Sequence, residues 1–565
     1  NPLNMPAVKR QKTRPLVDIA RELDLPVAPA TTLGLSLDPV RVAVDRLEKK
    51  VANNALPGFL TCIVKDGQLV HFEARGFADV CAQVPMSPDT LFRLYSQTKP
   101  ITVAGALRLV ERKALDLNDP VSKYIPAFDR VLVGEIGVLP HRQVLVRDLL
   151  GHTSGIGFGP GFGYEPENDY EEIYMALVRR VDERSVTTLE AWCDELAKLP
   201  LRFHPGEDWG YGYSSDVLGR VVEVASKRPL DEFLLEEVLT PLGMEDTRFA
   251  VPTNKANRLA ALYKREPWDG SGRRPKLITA DPGGSGLTQD FTKDVLGQSS
   301  EGYCTRAPSS SVFLEGQSSS VLQGGGCVCS VAGGLVSSMK DYLRFGEMLL
   351  NDGEFRGVRI LSPESVALLR KDWLNEFNMD KRLEPLWVWD APGIGFSPLG
   401  QIGTVCPEVR GRRRAGAALG TVHWGGAGGS GYMLSWPHHI QVLTYTGCTY
   451  DTRTQEALWK ATFDGLALHA KAKGKKAKAT AKQKAAKAKA KMKTKAKATA
   501  KATTKAKAAT QATAKAAKAA AKAAASVTPT KANGVKAKAK VKGKAKEGSM
   551  TVLGADSTRP KKRPS

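Results

Sequence analysis

Leu94-Tyr95-Ser96-Gln97-Thr98-Lys99-Pro100-Ile101-Thr102 is the stretch whose reading decides the fold. It sets a hydroxyl and an amine three residues apart at the start of a helix-forming pattern. After Lys99 the apolar residues Ile101, Ala104, Leu107, Leu109 and Val110 recur at helical spacing with polar residues between them, which predicts an amphipathic helix. At about 3.6 residues per turn, positions i and i+3 share one face, so the Lys99 amine reaches the Ser96 hydroxyl. A serine hydroxyl is a weak nucleophile until a base takes its proton, and a lysine kept neutral by burial or by a cationic neighbour serves as that base. Ser96, in the first turn, also offers its own backbone N–H to a developing oxyanion. Taken alone, S-x-x-K is too short a pattern to carry a function.

The flanking sequence adds to it. Phe92-Arg93 precede the stretch, and Leu109-Val110-Glu111-Arg112 and Leu115-Asp116-Leu117-Asn118-Asp119-Pro120-Val121-Ser122-Lys123-Tyr124-Ile125-Pro126 follow it. Together these segments resemble the serine β-lactamase-like family. That family covers class C β-lactamases, penicillin-binding DD-peptidases, carboxylesterases of the β-lactamase fold and some acyltransferases. The resemblance implies an α/β (α+β) fold of the β-lactamase/transpeptidase type. An antiparallel sheet flanked by helices and a mostly helical subdomain would hold the active site between them. It further implies that Ser96 is the nucleophile and Lys99 the general base.

The 565 residues leave room for a large core and more than one unit. The formal charge of +23 is concentrated: residues 471–546 hold 26 Lys and no Asp or Glu, and everything else has 56 basic against 59 acidic residues. The basic balance therefore describes a tail and not the globular part. Eight cysteines are scattered, and only Cys327-Val328-Cys329 is a close pair, a poor zinc signature; no metal or other cofactor is expected. Idle or buried thiols favour a reducing, cytoplasmic compartment. The chain starts at Asn1, so an upstream address to an organelle stays open, and Arg559-Pro560-Lys561-Lys562-Arg563 allows a nuclear one. No apolar run of about 18 residues predicts a membrane span.

Three regions follow from composition, periodicity and the resemblance. Residues 1–36, proline-rich and basic at the start, read as a poorly ordered leader. Residues 37–468 are the span the resemblance covers, and it implies that they form the catalytic domain. Residues 469–565 read as a low-complexity polycationic tail. Within the domain, Val40, Val44, Leu47 and Val51 predict a helix from Leu37 to Asn53. Apolar runs on either side of Lys65-Asp66-Gly67-Gln68 predict a hairpin from Gly58 to Gly76. A Gly/Ser/Cys-rich stretch, about 284–331, reads as an inserted loop before Gly333-Gly334-Leu335-Val336-Ser337, where the glycines suit a close backbone approach. Ser362 and Pro363 start a further helix as cap and first residue.

Two more segments extend the resemblance. Leu149-Leu150-Gly151-His152-Thr153-Ser154-Gly155 resembles a family segment that forms a turn and helix cap near the site. His152 invites a general-base reading, but the structural one is preferred. Pro205-Gly206-Glu207-Asp208-Trp209-Gly210-Tyr211-Gly212-Tyr213-Ser214-Ser215-Asp216 resembles the region whose tyrosine pairs with the S-x-x-K lysine. Both Tyr211 and Tyr213 compete for that role. Tyr211 lies two residues after the tryptophan and five before the aspartate, as in the esterase branch, and takes the role of proton shuttle. Tyr213 then stands where class C enzymes have a substrate-binding asparagine. Losing that amide argues against efficient β-lactam hydrolysis.

Val422-His423-Trp424-Gly425-Gly426-Ala427 falls where class C enzymes have Lys-Thr-Gly on a strand lining the cleft; the esterase branch has Trp-Gly-Gly. The resemblance makes Trp424, Gly425 and Gly426 substrate-binding and the Ala427 N–H the second oxyanion donor beside that of Ser96. The missing lysine removes a cation for a substrate carboxylate. The expected function is a serine hydrolase acting through an acyl-enzyme on an ester, or amide, small molecule. An acyltransferase and a β-lactamase or DD-peptidase are the rivals within the fold. A silent scaffold that binds nucleic acid is the rival outside enzymology. The Lys/Ala tail has no apolar stripe to pack and reads as a disordered, locally helical polycation that binds nucleic acid or other polyanions without sequence preference.

Overall fold

The computed structural model describes residues 14–80, 82–158, 168–182, 185–186, 188–265, 277–279, 334–374, 394–403, 420–448 and 451–524. The proposed 284–331 insertion and the close cysteine pair lie outside these residues. The chain divides into two compact units, Asn1–Lys476 and Ala477–Ser565.

The first unit is built on an eight-stranded sheet. Its strands are β1 (Gly58–Lys65), β2 (Gln68–Asp79), β3 (Val84–Pro85), β4 (Ile394–Ser397), β5 (Gly400–Gly403), β6 (Thr421–Gly426), β7 (Ser430–Ser435) and β8 (Ile440–Tyr445). Their order is β4-β5-β6-β7-β8-β1-β2-β3, antiparallel throughout, so the first and last hairpins of the domain meet at the centre. Leu60 pairs with Tyr445 and Cys62 with Leu443 at that junction. The predicted hairpin forms with Asp66 and Gly67 both at positive φ (51° and 70°), the turn chemistry an Asp-Gly pair provides.

Every residue of β1 is buried, which explains its continuous apolar run: both faces of the sheet are covered. On one side lie α2 (Asp38–Ala52), at the place predicted, and the start of a long C-terminal helix, through Val40, Val44, Leu47, Phe59, Ile63, Leu458 and Trp459. On the other lie the buried helices that carry or support the site. They include α3 (Thr98–Glu111) and, further on, Met339–Leu350, capped by the Ser338 hydroxyl accepting from Asp341 N. The predicted Ser362 cap is present, its hydroxyl accepting from Ser365 N at 3.1 Å with Pro363 at the first position of the helix Pro363–Leu369.

Three expectations change. Helix α3 is not amphipathic: Thr98, Lys99, Pro100 and Thr102 are buried together with the apolar residues, because the helix runs between the sheet and the helical subdomain. Residues 14–36 are not an unordered leader. They form α1 (Leu16–Leu23), whose Ile19, Ala20 and Leu23 join the core, and Leu69 N then donates to Pro26 O at 2.8 Å. The C-terminal helix, Thr452–Ala524, extends much further than local helicity. Its first turns are fixed by burial of Leu458, Trp459 and Ala461. In the second unit, described side chains are exposed on every face, and helix is supported there by the high propensity of Lys and Ala.

The helical subdomain comprises α4 (Val146–Gly151), α5 (Asp169–Asp182), α6 (Leu189–Leu196), α7 (Ser214–Ser226) and α8 (Leu230–Leu234). Helix α3 packs against it closely enough that a Cβ on Gly105 would lie 2.6 Å from Leu234 Cδ2. Among the described residues, no helix is long and apolar enough to cross a membrane. Cys62, Cys193 and Cys448 are buried, and burial pushes the Cys62 and Cys193 thiols up.

One buried carboxyl makes stability depend on pH. Glu347 is 3% exposed, and burial, with Asp66 nearby, pushes it up from 4.5 to about 7. Such a group costs nothing below pH 4.5. Its penalty grows as the unfolded chain ionises, and is complete once pH passes the folded value. Glu347→Gln is therefore expected to be more stable than the parent at pH 8, by on the order of 2–3 kcal/mol. The gain should shrink to near zero at pH 4; urea unfolding at the two pH values measures the difference.

Candidate active site

The Ser96 segment begins on a short strand, Leu91–Arg93, paired with Val336–Ser338. The chain then turns sharply. Tyr95 takes φ +48°, a conformation that costs a bulky L-residue about 1–3 kcal/mol. Ser96 follows in a single 3₁₀ turn, Tyr95–Gln97, that runs directly into α3. Pro100 falls in the first turn of that helix, where its missing N–H has no intrahelical bond to break.

The surroundings over-determine this turn. Leu94 N donates to Leu335 O at 2.8 Å, Ser430 Oγ donates to Leu94 O at 3.3 Å, and Tyr342 Oη donates to Gln97 O at 3.3 Å. Leu335 N donates to Thr98 Oγ1 at 3.0 Å, beside Gly334 at φ +66°. A Cβ on Gly334 would sit 2.4 Å from that same oxygen, so the close approach expected of the Gly-Gly pair is present at its second glycine.

Two side chains meet at Ser96 Oγ. Lys99 Nζ donates to it at 3.3 Å, from a side chain only 5% exposed. Tyr211 Oη donates to it at 2.7 Å across 115 residues of sequence. Lys99 Nζ also lies 4.8 Å above the centre of the Tyr211 ring. Ser96 and Tyr211 themselves are half-buried, so the hydroxyls reach the boundary between core and solvent.

Tyr211 and Tyr213 part ways at Gly212. A Cβ there would lie 2.1 Å from Ile156 O and 2.5 Å from Gly157 O, so only glycine lets the chain pass. Tyr211 turns to Ser96. Tyr213 is 1% exposed and packs on Trp192 (5.1 Å, edge-on), Phe158 and Tyr174. The expectation that Tyr213 binds substrate is thereby corrected: its ring fills the core of the helical subdomain.

Strand β6 supplies the opposite wall. Trp424 and Gly425 are half-buried, and the Trp424 ring lies 5.5 Å from Tyr211 and 5.4 Å from Phe396. Gly426 is where the strand touches the nucleophile turn: a Cβ would lie 2.0 Å from Leu94 O and 2.6 Å from Ser430 Oγ. A Cβ on Gly428 would meet the Tyr95 ring at 2.8 Å. Ala427, between the two, is thus held beside the Leu94–Ser96 turn. Gly426→Ala is expected to force strand and turn apart, lowering stability by about 1–3 kcal/mol and ester turnover by about 10²-fold. Thermal unfolding and initial rates check the two effects separately.

His152 ends α4 in the left-handed conformation (φ 57°). It is 3% exposed, and burial followed by the Lys99 charge pushes it down to about 3. The ring is therefore uncharged at neutral pH and too weak a base for the role the residue type suggests. The segment that follows forms a ladder with the tyrosine segment: Gly210 N donates to His152 O (3.0 Å), Gly206 N to Thr153 O (2.8 Å) and Tyr213 N to Gly157 O (3.2 Å). Asp148 anchors this segment from below through Arg142, Thr153 Oγ1 and Leu145 N.

Sequence reasoning missed two contributors. Phe396 and Leu374 join Trp209, with Tyr211 and Trp424 packed against them, in a small apolar cluster on the Tyr211 side of the site. Ser430 braces the turn from β7. Neither falls in a recognisable motif.

A hydroxyl is thus held by an amine and a phenol, on a strained turn between an antiparallel sheet and a helical subdomain. The family model Beta-lactamase matches residues 44–467, and the chain belongs to that family. Protein Rv1367c of Mycobacterium tuberculosis (strain H37Rv) is 32% identical over 400 residues, 69% of this chain and 85% of the relative. Esterase EstB of Burkholderia gladioli is 35% identical over 239 residues, 38% of this chain and 58% of the esterase. Among solved structures, EstCE1, described as a hydrolase with promiscuous acyltransferase activity, aligns with a TM-score of 0.56 at 23% identity, covering 75% of this chain and 98% of that one. Simvastatin synthase (LovD) from Aspergillus terreus aligns with a TM-score of 0.55 at 22% identity, covering 77% and 99%. These two likenesses establish the shared fold.

Proposed function

We propose that the protein is a serine hydrolase that cleaves carboxylic esters through an acyl-enzyme on Ser96. The observation that carries this reading is the meeting of Tyr211 Oη (2.7 Å) and Lys99 Nζ (3.3 Å) on one serine oxygen. Neutral Lys99 takes the Ser96 proton, directly or through the Tyr211 phenol, as Oγ bonds to the ester carbonyl carbon. The N–H groups of Ser96 and Ala427 receive the negative oxygen of the tetrahedral intermediate. Collapse breaks the bond to the alcohol, which leaves with the proton returned through Tyr211. A water molecule then repeats the sequence on the acyl-enzyme, freeing the acid and Ser96.

Esters are favoured over β-lactams on two grounds. Trp424-Gly425-Gly426 places no cation where a β-lactam carboxylate would sit. The position after Gly212 offers a buried aromatic ring in place of an amide. The esterase relative points the same way. The expected result is turnover of short-chain p-nitrophenyl esters that falls by about 10⁴-fold or more in Ser96→Ala, with unchanged circular dichroism. Unaltered turnover in that variant would overturn the proposal.

A further inference from the structure

The Tyr211 phenol has one contact that neither proton transfer nor substrate binding requires. The His152 imidazole stacks on the Tyr211 ring with centroids 4.8 Å apart and planes 25° from parallel. His152 is itself wedged edge-on against Phe396 at 5.6 Å and Trp209 at 6.5 Å. Its Nδ1 is buried with no hydrogen-bond partner among the described residues, so that nitrogen does not orient the ring. Its backbone carbonyl accepts from Gly210 N, the residue just before Tyr211. One residue thus fixes both the chain that leads into Tyr211 and the face of its ring.

We infer that His152 is a positioning residue: its stacked ring holds the Tyr211 oxygen against Ser96 Oγ, and it acts as a flat apolar surface rather than as an acid or base. The inference rests on the reading of Tyr211 as proton shuttle. Tyr211 is half-buried, and rotation about its Cα–Cβ bond carries the oxygen, its outermost atom, furthest, whereas rotation about Cβ–Cγ leaves the oxygen on the axis. A ring packed on its face limits that swing, and reactions of this kind lose rate steeply with small misplacement. The uncharged state of His152 fits the role, since burial among aromatic rings disfavours a charged imidazole. The left-handed backbone at 152 explains why a short polar replacement remains foldable there: asparagine adopts that conformation readily.

The test uses the full chain and p-nitrophenyl butyrate. His152→Asn and His152→Ala are expected to lower kcat by about 10- to 100-fold with KM within about twofold. His152→Phe, which keeps a flat ring and has no ionisable group, is expected to retain most of the rate with an unshifted pH profile. In a Tyr211→Phe background, His152→Asn should add little further loss, because the two act as one unit. His152→Phe falling as far as His152→Ala, or a full additional loss in the Tyr211→Phe background, overturns the inference. So does wild-type kcat in folded His152→Asn. If instead Tyr211→Phe alone leaves turnover intact, it is the role of Tyr211 that fails, and the two failures are told apart.

Discussion

Tyr211→Phe is expected to lower kcat/KM for short-chain p-nitrophenyl esters by about 10³-fold while the unfolding midpoint stays within a few degrees of the parent. The substitution removes one oxygen, the one 2.7 Å from Ser96 Oγ. Everything that packs the ring remains: His152 at 4.8 Å, Trp424 at 5.5 Å and Phe158 at 5.8 Å. A hydrogen bond between half-buried hydroxyls contributes only about 1 kcal/mol to stability, so the fold survives the change. The loss should appear in kcat and not in KM, since the phenol moves a proton and does not hold the substrate. A loss confined to KM would make Tyr211 a binding residue.

The second large effect is at Lys99. Lys99→Met, close in length and without the amine, is expected to reduce turnover by about 10⁴-fold and to slow labelling of Ser96 by a fluorophosphonate probe in parallel. Lys99 is 5% exposed in a helix buried on nearly every side. A flexible thioether fills that space and leaves no buried amine to be desolvated. Stability is therefore expected to hold or rise slightly, so loss of activity cannot be assigned to unfolding. Equal labelling rates in parent and variant would remove Lys99 from the activation of Ser96.

How far the sequence could be read follows from what each signal depends on. The hairpin at Asp66-Gly67, the helix over 38–52 and the Ser362-Pro363 start were legible because turn and cap chemistry is local. The S-x-x-K pair was legible because helix geometry alone brings i and i+3 together. The partner 115 residues away became legible only through resemblance, whose tryptophan and aspartate spacing selects Tyr211 over Tyr213; in the fold Gly212 is where the two side chains part. The fate of Tyr213 depends on Trp192 and Tyr174, which no spacing rule links to it. Helix α3 misled because Thr and Lys read as polar, yet its position between two layers buries them as well. Residues 16–23 carry Leu16, Ile19, Ala20 and Leu23 at helical spacing, but the prolines on either side drew the reading toward a loop. The strain at Tyr95 left no trace in residue type, since the conformation is imposed by contacts from Leu335, Ser430 and Gly426.

The most direct measurement is the mass of the protein during turnover. The chain is mixed with a p-nitrophenyl ester, quenched in acid within the first seconds, digested and mapped by mass spectrometry. The mechanism predicts an added acyl group on the peptide carrying Ser96, present in the parent, and absent in Ser96→Ala. Steady release of p-nitrophenol with the acyl group on another residue, or with Ser96 never modified under any quench time or ester, would contradict it.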